Sequence, residues 1–213
     1  LLDAVRAHPD VEPSPAPSVH FVGWGDSSLD FEIRAHVDSL DKRLRVRNDI
    51  YLAVQLALRE NGIELEVLTV GAAVRRLRVR DERLPDGWAD LVLGHADPST
   101  YRFAGGYLGA VVGRLANRLA QGRFTLDGGT VQVQTNEAGN TLHGGFEGFD
   151  RATWSIGERD RGRVRLDLIS PDGDCGFPGR VEVSVTYALS PGEVRIDYAA
   201  TSDRPTPFAV TNH

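Results

Sequence analysis

Cysteine, methionine and lysine are almost missing from this chain of 213 residues, which holds one cysteine, no methionine, and 24 lysines and arginines together, of which Lys42 is the sole lysine. A lone Cys175 excludes an internal disulfide framework and any zinc site built from several cysteines, and it fits a reducing compartment. No apolar run approaches the roughly eighteen residues that a membrane-crossing helix needs. No basic segment followed by an apolar one opens the chain as a secretory signal would, so the reading places the protein in the cytoplasm. A surplus of positive charge is also lacking: the formal net charge is -6. That balance argues against nucleic-acid or anionic-membrane partners and leaves neutral polar ligands open. With no methionine, a start at Leu1 and an end at His213 directly after a strand-like run, the expectation is an internal fragment of a longer reading frame. Internal repeats and low-complexity tracts are absent as well.

What is present is ordinary for a globular protein, with 41% hydrophobic and 25% charged residues, in a chain long enough for one or two domains. Residues 1 to 8 predict a short helical turn with Leu1, Leu2 and Val5 on one face, stopped by Pro9, and Pro13, Pro15 and Pro17 predict a stiff extended connector. Val19 to Trp24 and Leu29 to Val37 predict two strands around a Gly25-Asp26-Ser27-Ser28 turn. In the second, Leu29, Phe31, Ile33, Ala35 and Val37 alternate with Asp30, Glu32, Arg34 and His36, giving one wet face. Asn48 then suits a helix N-cap, Ile50, Ala53, Val54, Ala57 and Leu58 recur at helical spacing, and Asn61-Gly62 would end that helix before a strand at Ile63 to Leu65.

From Glu66 the texture changes to short strands punctuated by glycine, proline and aspartate. Candidates are Val74 to Val79, Asp90 to Leu93, Arg123 to Leu126, Val131 to Val133, Val164 to Ile169, Val181 to Tyr187 and Val194 to Tyr198. Turn signals separate them at Asp127-Gly128-Gly129, Pro171-Asp172-Gly173 and Pro191-Gly192, a pattern that means an all-β sandwich. Leu108, Val111, Val112, Leu115 and Leu119 recur at helical spacing and predict one short helical or irregular piece.

Two polar clusters stand out within Tyr107 to Asp150: Arg114-Leu115-Ala116-Asn117-Arg118, and Asn140-Thr141-Leu142-His143-Gly144-Gly145. The run between them alternates like a strand, and a ladder can carry distant residues to one end of a sheet. Together the clusters offer guanidinium and amide donors for a polar ligand and an imidazole that gives or takes a proton near neutral pH. Taken alone, a histidine before two glycines also suits a turn, and flanking arginines also suit a solvated surface.

The segments GAVVGRLANRLAQGRFTLDG, NTLHGGFEGFDRATW, SPDGDCGFPGRVEVSVTY and PFAVTNH, in this order, resemble the aldose 1-epimerase (galactose mutarotase) family over residues 66 to 213. The segments VHFVGWGDSSLDFEIRAHV and RVRNDIYLAVQLALRENGIEL resemble the cytoplasmic α/β domain that ends small-conductance mechanosensitive channels, over residues 1 to 65. The resemblance implies a mainly β chain: an incomplete galactose-mutarotase-like β-sandwich (a supersandwich), preceded by a small α+β ferredoxin-like domain. The channel family's pore helices have no counterpart in the sequence, so no channel activity is carried over.

Mutarotation interconverts the α and β forms of an aldose by opening its ring. A base takes the proton of the anomeric hydroxyl while an acid protonates the ring oxygen, so acid and base stand on opposite sides of one sugar and titrate near the working pH. The resemblance implies no cofactor and no metal, and a small-molecule partner, an aldohexose such as galactose or glucose. It implies that His213, in Thr211-Asn212-His213, is the general acid. It makes His143 a second active-site histidine that binds the sugar and steadies charge on the ring oxygen, and Asn117 and Arg118 the sugar-binding pair. Arg114 braces the loop in this reading, Gly144 and Gly145 serve backbone geometry, and Cys175 is a bystander. The family's catalytic glutamate and a sugar-binding aspartate belong to a half that would follow His213, so the expected base is missing from this chain. Should the chain alone prove active, Asp150 or Glu147 would be the base. Two other readings stay open: a mutarotase-like module that binds sugar without turning it over, and a non-functional chimera of channel and epimerase segments.

Overall fold

The computed structural model describes residues 6, 10–24, 29–39, 42, 56–60, 62–103 and 105–213. The backbone divides into two compact units, Leu1–Gln55 and Leu56–His213. Among the described residues, no helix is long and apolar enough to cross a membrane.

In the first unit, β1 (Ser18–Trp24) pairs antiparallel with β2 (Leu29–Arg34), with a bulge between Phe21 and Gly23. The expected wet face is seen: Glu32, Arg34 and His36 are exposed while Ile33, Ala35 and Val37 are half-buried. Glu32 and Arg34, two apart and therefore on the same face, form an ion pair at 2.9 Å. The turn at 25–28 lies outside the described residues, and so does the helical reading of 1 to 8, apart from Arg6, and that of 48 to 55. Of the ferredoxin-like arrangement, the described residues of this unit hold one two-stranded ladder.

The helix expected to run through Ala57 and Leu58 is corrected, because β3 (Leu56–Glu60) is a strand paired with β4 (Ile63–Val67). Glu60 pairs with Ile63, so only Asn61 and Gly62 join the strands, and Gly62 has φ +78°. Asn-Gly is the strongest two-residue hairpin signal, and here it competes successfully with the helical spacing of a few apolar residues. β4 also runs across position 65 into Val67.

The second unit is built on two four-stranded antiparallel sheets. The first is β3, β4, β5 (Val74–Arg80) and β6 (Trp88–Asp90) in that order. The second is formed later in the chain by β12 (Ser155–Arg159), β13 (Arg163–Ser170), β14 (Val181–Ser190) and β15 (Glu193–Ser202). Between them the chain makes three short ladders: β7 (Val111–Val112) with β16 (Thr211–Asn212), β8 (Arg118–Leu119) with β11 (Thr141–Leu142), and β9 (Arg123–Leu126) with β10 (Gly129–Gln132).

Strand alternation explains the core. Val181, Val183, Val185, Tyr187 and Leu189 of β14 point inward and join Leu65 and Val67, Val164 and Leu166, and the Phe149–Trp154 pair. Tyr187 donates its hydroxyl to Ala72 O at 2.6 Å, so the one polar atom of that buried ring is paired. β4 is buried along its whole length, and its Glu64 and Glu66 pair with Arg78 and Arg75 of the adjacent strand.

No helix forms over 108–119. The chain takes left-handed backbone at Gly109 (φ +63°) and Asn117 (φ +68°), which a helix does not admit. A Cβ at Gly109 would stand 2.0 Å from Val74 O, so the backbone itself packs on β5 there. The apolar residues are buried instead through a ladder, as Val111 and Val112 are fully inaccessible in β7. The strand expected at Asp90 to Leu93 ends at Asp90, leaving Leu91 and Leu93 exposed. The short β11, β12 and β16 carried no alternation long enough to predict them.

Candidate active site

Two ladders bring the polar clusters together. β16 on β7 fixes the end of the chain: His213 N donates to Ala110 O at 2.9 Å and Gly109 N donates to His213 O at 2.9 Å. Asn212 adds a side-chain bond from Nδ2 to Gly109 O at 2.8 Å. β8 on β11 sets Arg118 opposite Leu142, one residue from His143. The His143 and His213 rings are then 5.0 Å apart and nearly perpendicular.

Asn117 and His143 are locked to each other twice. His143 N donates to Asn117 O at 3.1 Å, and Asn117 N donates to His143 Nδ1 at 3.1 Å. Because Nδ1 accepts, the neutral ring carries its hydrogen on Nε2. Both residues hold positive φ, +68° and +52°, and Asn117 Oδ1 accepts from Arg118 N at 2.8 Å. Left-handed backbone at a histidine is uncommon and is kept only where its surroundings impose it. Gly144 explains the turn that follows: with φ +95°, a Cβ there would lie 1.8 Å from Gly113 O.

Burial holds the His143 imidazole below its ordinary value, and the adjacent His213 and Arg118 push in the same direction. The ring is therefore a neutral donor through Nε2 near pH 7. Arg118 is half-exposed and makes a two-armed pair with Glu137 at 2.7 and 2.5 Å. The hydrogen bonds of Arg118 hold the Glu137 carboxyl below its usual range, and Glu137 raises Arg118 in turn.

Tyr107 and Glu137 join the site without a sequence motif that marks them. The Tyr107 ring centroid is 4.6 Å from that of His143 and 5.5 Å from that of His213, making a three-ring cluster. Tyrosine beside Leu108 carries no distinctive local signal; only the two ladders reveal its position. Glu137 could have been suspected as the acidic residue of the Asn136-Glu137-Ala138-Gly139-Asn140 turn, but its pairing with Arg118 depends on the β8–β11 register.

Arg114 stands apart from this cluster. It is 2% exposed and donates to Ser170 Oγ, Ser170 O, Pro171 O and Pro178 O at 2.6–3.0 Å, so it ties the 170–178 turn to the β7–β8 loop. Cys175 is buried against Val133 and Phe177, and burial raises its thiol.

The comparisons with known proteins come to bear on this arrangement. The family profile described as Aldose 1-epimerase matches residues 54–213, and that of the mechanosensitive ion channel MscS C-terminal domain matches residues 1–65. Galactose mutarotase of Rattus norvegicus is 40% identical over 156 residues, covering 73% of this chain and 45% of that protein. Aldose 1-epimerase of Escherichia coli (strain K12) is 40% identical over 161 residues, 74% of this chain and 46% of its own length. Among solved structures, an aldose epimerase homologue from C. elegans gives a TM-score of 0.70 at 27% identity, over 75% of this chain and 49% of the other. The galactose 1-epimerase of Lactobacillus acidophilus NCFM gives 0.62 at 25% identity, over 92% and 52%. The described architecture is accordingly mainly β, of the galactose-mutarotase-like sandwich type. The chain spans a little under half the length of the curated relatives it matches. By the match over residues 54–213 and by these identities, the chain belongs to the aldose 1-epimerase family.

Proposed function

We propose that the second unit binds an aldohexose such as galactose or glucose through Asn117, Arg118 and His143, and carries the acid half of a mutarotation site in His213. The observation that supports this most is the meeting of His143 and His213, 5.0 Å apart, beside the Asn117–Arg118 pair. In the reaction a proton passes from the acid to the ring oxygen as the bond from that oxygen to the anomeric carbon breaks. A base takes the proton of the anomeric hydroxyl, which becomes the carbonyl. Rotation about the bond to the next carbon and closure on the other face reverse both transfers. His213 supplies the ring-oxygen proton, and the Nε2 hydrogen of neutral His143 steadies the negative charge that grows there.

A carboxylate base is needed as well. Glu137 is engaged by both arms of Arg118, and Asp150 has one oxygen wholly buried, so neither is free to serve as base. We therefore expect this 213-residue chain to bind the sugar and to accelerate mutarotation little. General acid and base terms are each worth about a hundred- to ten-thousand-fold. Polarimetry on freshly dissolved α-galactose should match the buffer rate, while binding is seen by ligand-detected NMR. Arg118→Ala and Asn117→Ala should weaken that binding about tenfold, and His213→Asn should change it little. Absence of any sugar binding would favour the non-functional chimera. A robust rate that Asp150→Asn or Glu147→Gln abolishes would make that carboxylate the base.

The channel-like segment, expected from the sequence as residues 1–65, is proposed to be a domain separate from the epimerase-like part, with the division at the boundary of the units Leu1–Gln55 and Leu56–His213, since β4 (Ile63–Val67) crosses position 65 within one sheet. Limited proteolysis that cuts near residue 55, or in the proline segment at 9–17, before attacking either part would support it, and one protected core across residue 55 would overturn it.

A further inference from the structure

Tyr107 meets both histidines, and the backbone explains how it is held there. Its ring stands 4.6 Å from that of His143 and 5.5 Å from that of His213, within the range over which aromatic rings attract each other. Ala110 N donates to Tyr107 O at 3.0 Å and closes a tight turn. The same turn grips the end of β16, since Gly109 N donates to His213 O and His213 N donates to Ala110 O, each at 2.9 Å. Tyr107 and His213 therefore share one frame. The chain takes left-handed backbone at Tyr107, with φ +56°, after Gly106 at +104°. Such a φ is unusual for a bulky ring and persists where the surroundings impose it. The two histidines differ in what fixes them. The His143 ring is tethered by the bond that its Nδ1 accepts from Asn117 N at 3.1 Å. The His213 ring, among the described residues, has no hydrogen bond and meets the rings of Tyr107 and His143.

We propose that Tyr107 is the positioning residue of the histidine pair: its ring fixes the aim of His213 and keeps water from the face that it covers on His143. This rests on the reading of His213 as the acid, and adds what makes that acid directional. A backbone anchored through its nitrogen and its oxygen still leaves the His213 side chain free to turn about its own bonds. Set against two rings, one tilted by 48° and the other at 88°, the imidazole keeps one orientation. Proton transfer needs the donor within hydrogen-bond reach of the atom it serves, so a ring that wanders loses transfer even with its proton in place. The ring of Tyr107 is the acting part, not its phenol group. Burial raises the Tyr107 hydroxyl above its ordinary value, with the charge of Asp150 adding to this, so it stays uncharged wherever histidines titrate. The charged groups that act on the cluster are Arg118 and Glu137 at His143, and Asp150, Arg151 and Glu137 at Tyr107. A substitution at Tyr107 leaves all four in place.

The test is a histidine titration by NMR on the full chain, in a double-mutant cycle of Tyr107→Gly and His213→Asn, with Tyr107→Phe beside it. His213 pushes the His143 imidazole down, so His213→Asn alone should make His143 titrate at higher pH than in the parent. Tyr107→Phe keeps the ring and should leave both histidines titrating as before. Tyr107→Gly removes the ring, yet glycine suits the left-handed backbone, so the fold should survive. In that variant His143 should titrate higher as water reaches it, and His213→Asn should then move it less than about half as far as in the parent, because the two rings no longer keep their distance. A ring that only fills space gives the opposite result: a lower urea midpoint with the effect of His213→Asn undiminished, which overturns the proposal. Should Tyr107→Gly fail to fold, Tyr107→Asn, which also tolerates this backbone, is read in the same way. The titrations need no sugar. An undiminished effect of His213→Asn therefore sinks the role of Tyr107 alone, whereas a parent chain that binds no galactose sinks the sugar-binding reading beneath it.

Discussion

Asp150→Asn should make this protein more stable at neutral pH, and the size of the gain follows from where the carboxyl is placed. The side chain is 10% exposed and Oδ1 has no partner, and burial outweighs the lowering effects of a backbone hydrogen bond and of Arg151, so the folded protein holds the proton up to about 6 against an ordinary 3.8. Each tenfold change in proton affinity is worth about 1.4 kcal/mol, which makes ionised Asp150 a cost of up to about 3 kcal/mol. The sign is set by a folded value that is raised. Below 3.8 the group is protonated in folded and unfolded chains alike and contributes no penalty. Between 3.8 and about 6 the unfolded chain ionises first, so stability is lost as pH rises through that window and stays lost above it. Asparagine keeps the shape and carries no charge. In urea unfolding followed by tryptophan fluorescence, with Trp154 buried against Phe149 as the reporter, the variant should exceed the parent by up to about 3 kcal/mol at pH 8. The gap should narrow through pH 6 and close below about pH 4. A variant no more stable than the parent at pH 8, or a gap that ignores pH, would refute the reasoning.

Arg114→Met should destabilise the second unit by about 3–5 kcal/mol, because it leaves the carbonyls of Ser170, Pro171 and Pro178 without their buried donor; a loss below about 1 kcal/mol in urea unfolding would contradict this. His143 should titrate below the usual histidine value in an NMR pH series. Its folded value is lowered, so its contribution to stability is complete above about 6.5 and is lost as pH falls below that, and sugar affinity should fall with it; a titration at or above 6.5 would show that burial and His213 do not act as described.

Much of this protein was readable from the chain. Where a strand is long enough to alternate, as in Val181 to Leu189, periodicity alone assigns the inward face, because side chains of a strand must point to opposite sides. The motif-bearing segments likewise identified the family and nominated Asn117, Arg118, His143 and His213. Short windows were ambiguous. Asn61-Gly62 suits a helix end as well as a hairpin, and pairing of Leu56–Glu60 with Ile63–Val67 decided for the hairpin. Leu108 to Leu119 has helical spacing, but close approach of Gly109 to β5 and the β7–β16 ladder exclude a helix. The rest lay beyond any local pattern. That Tyr107 touches both histidines, that Glu137 clamps Arg118, and that Asp150 is buried without a partner depend on which strands pair and in what register, and on what covers each side chain afterwards. Sequence determines the periodicity and the chemistry available at each position. Burial and partners arise from contacts between distant residues, and only the folded chain brings those about.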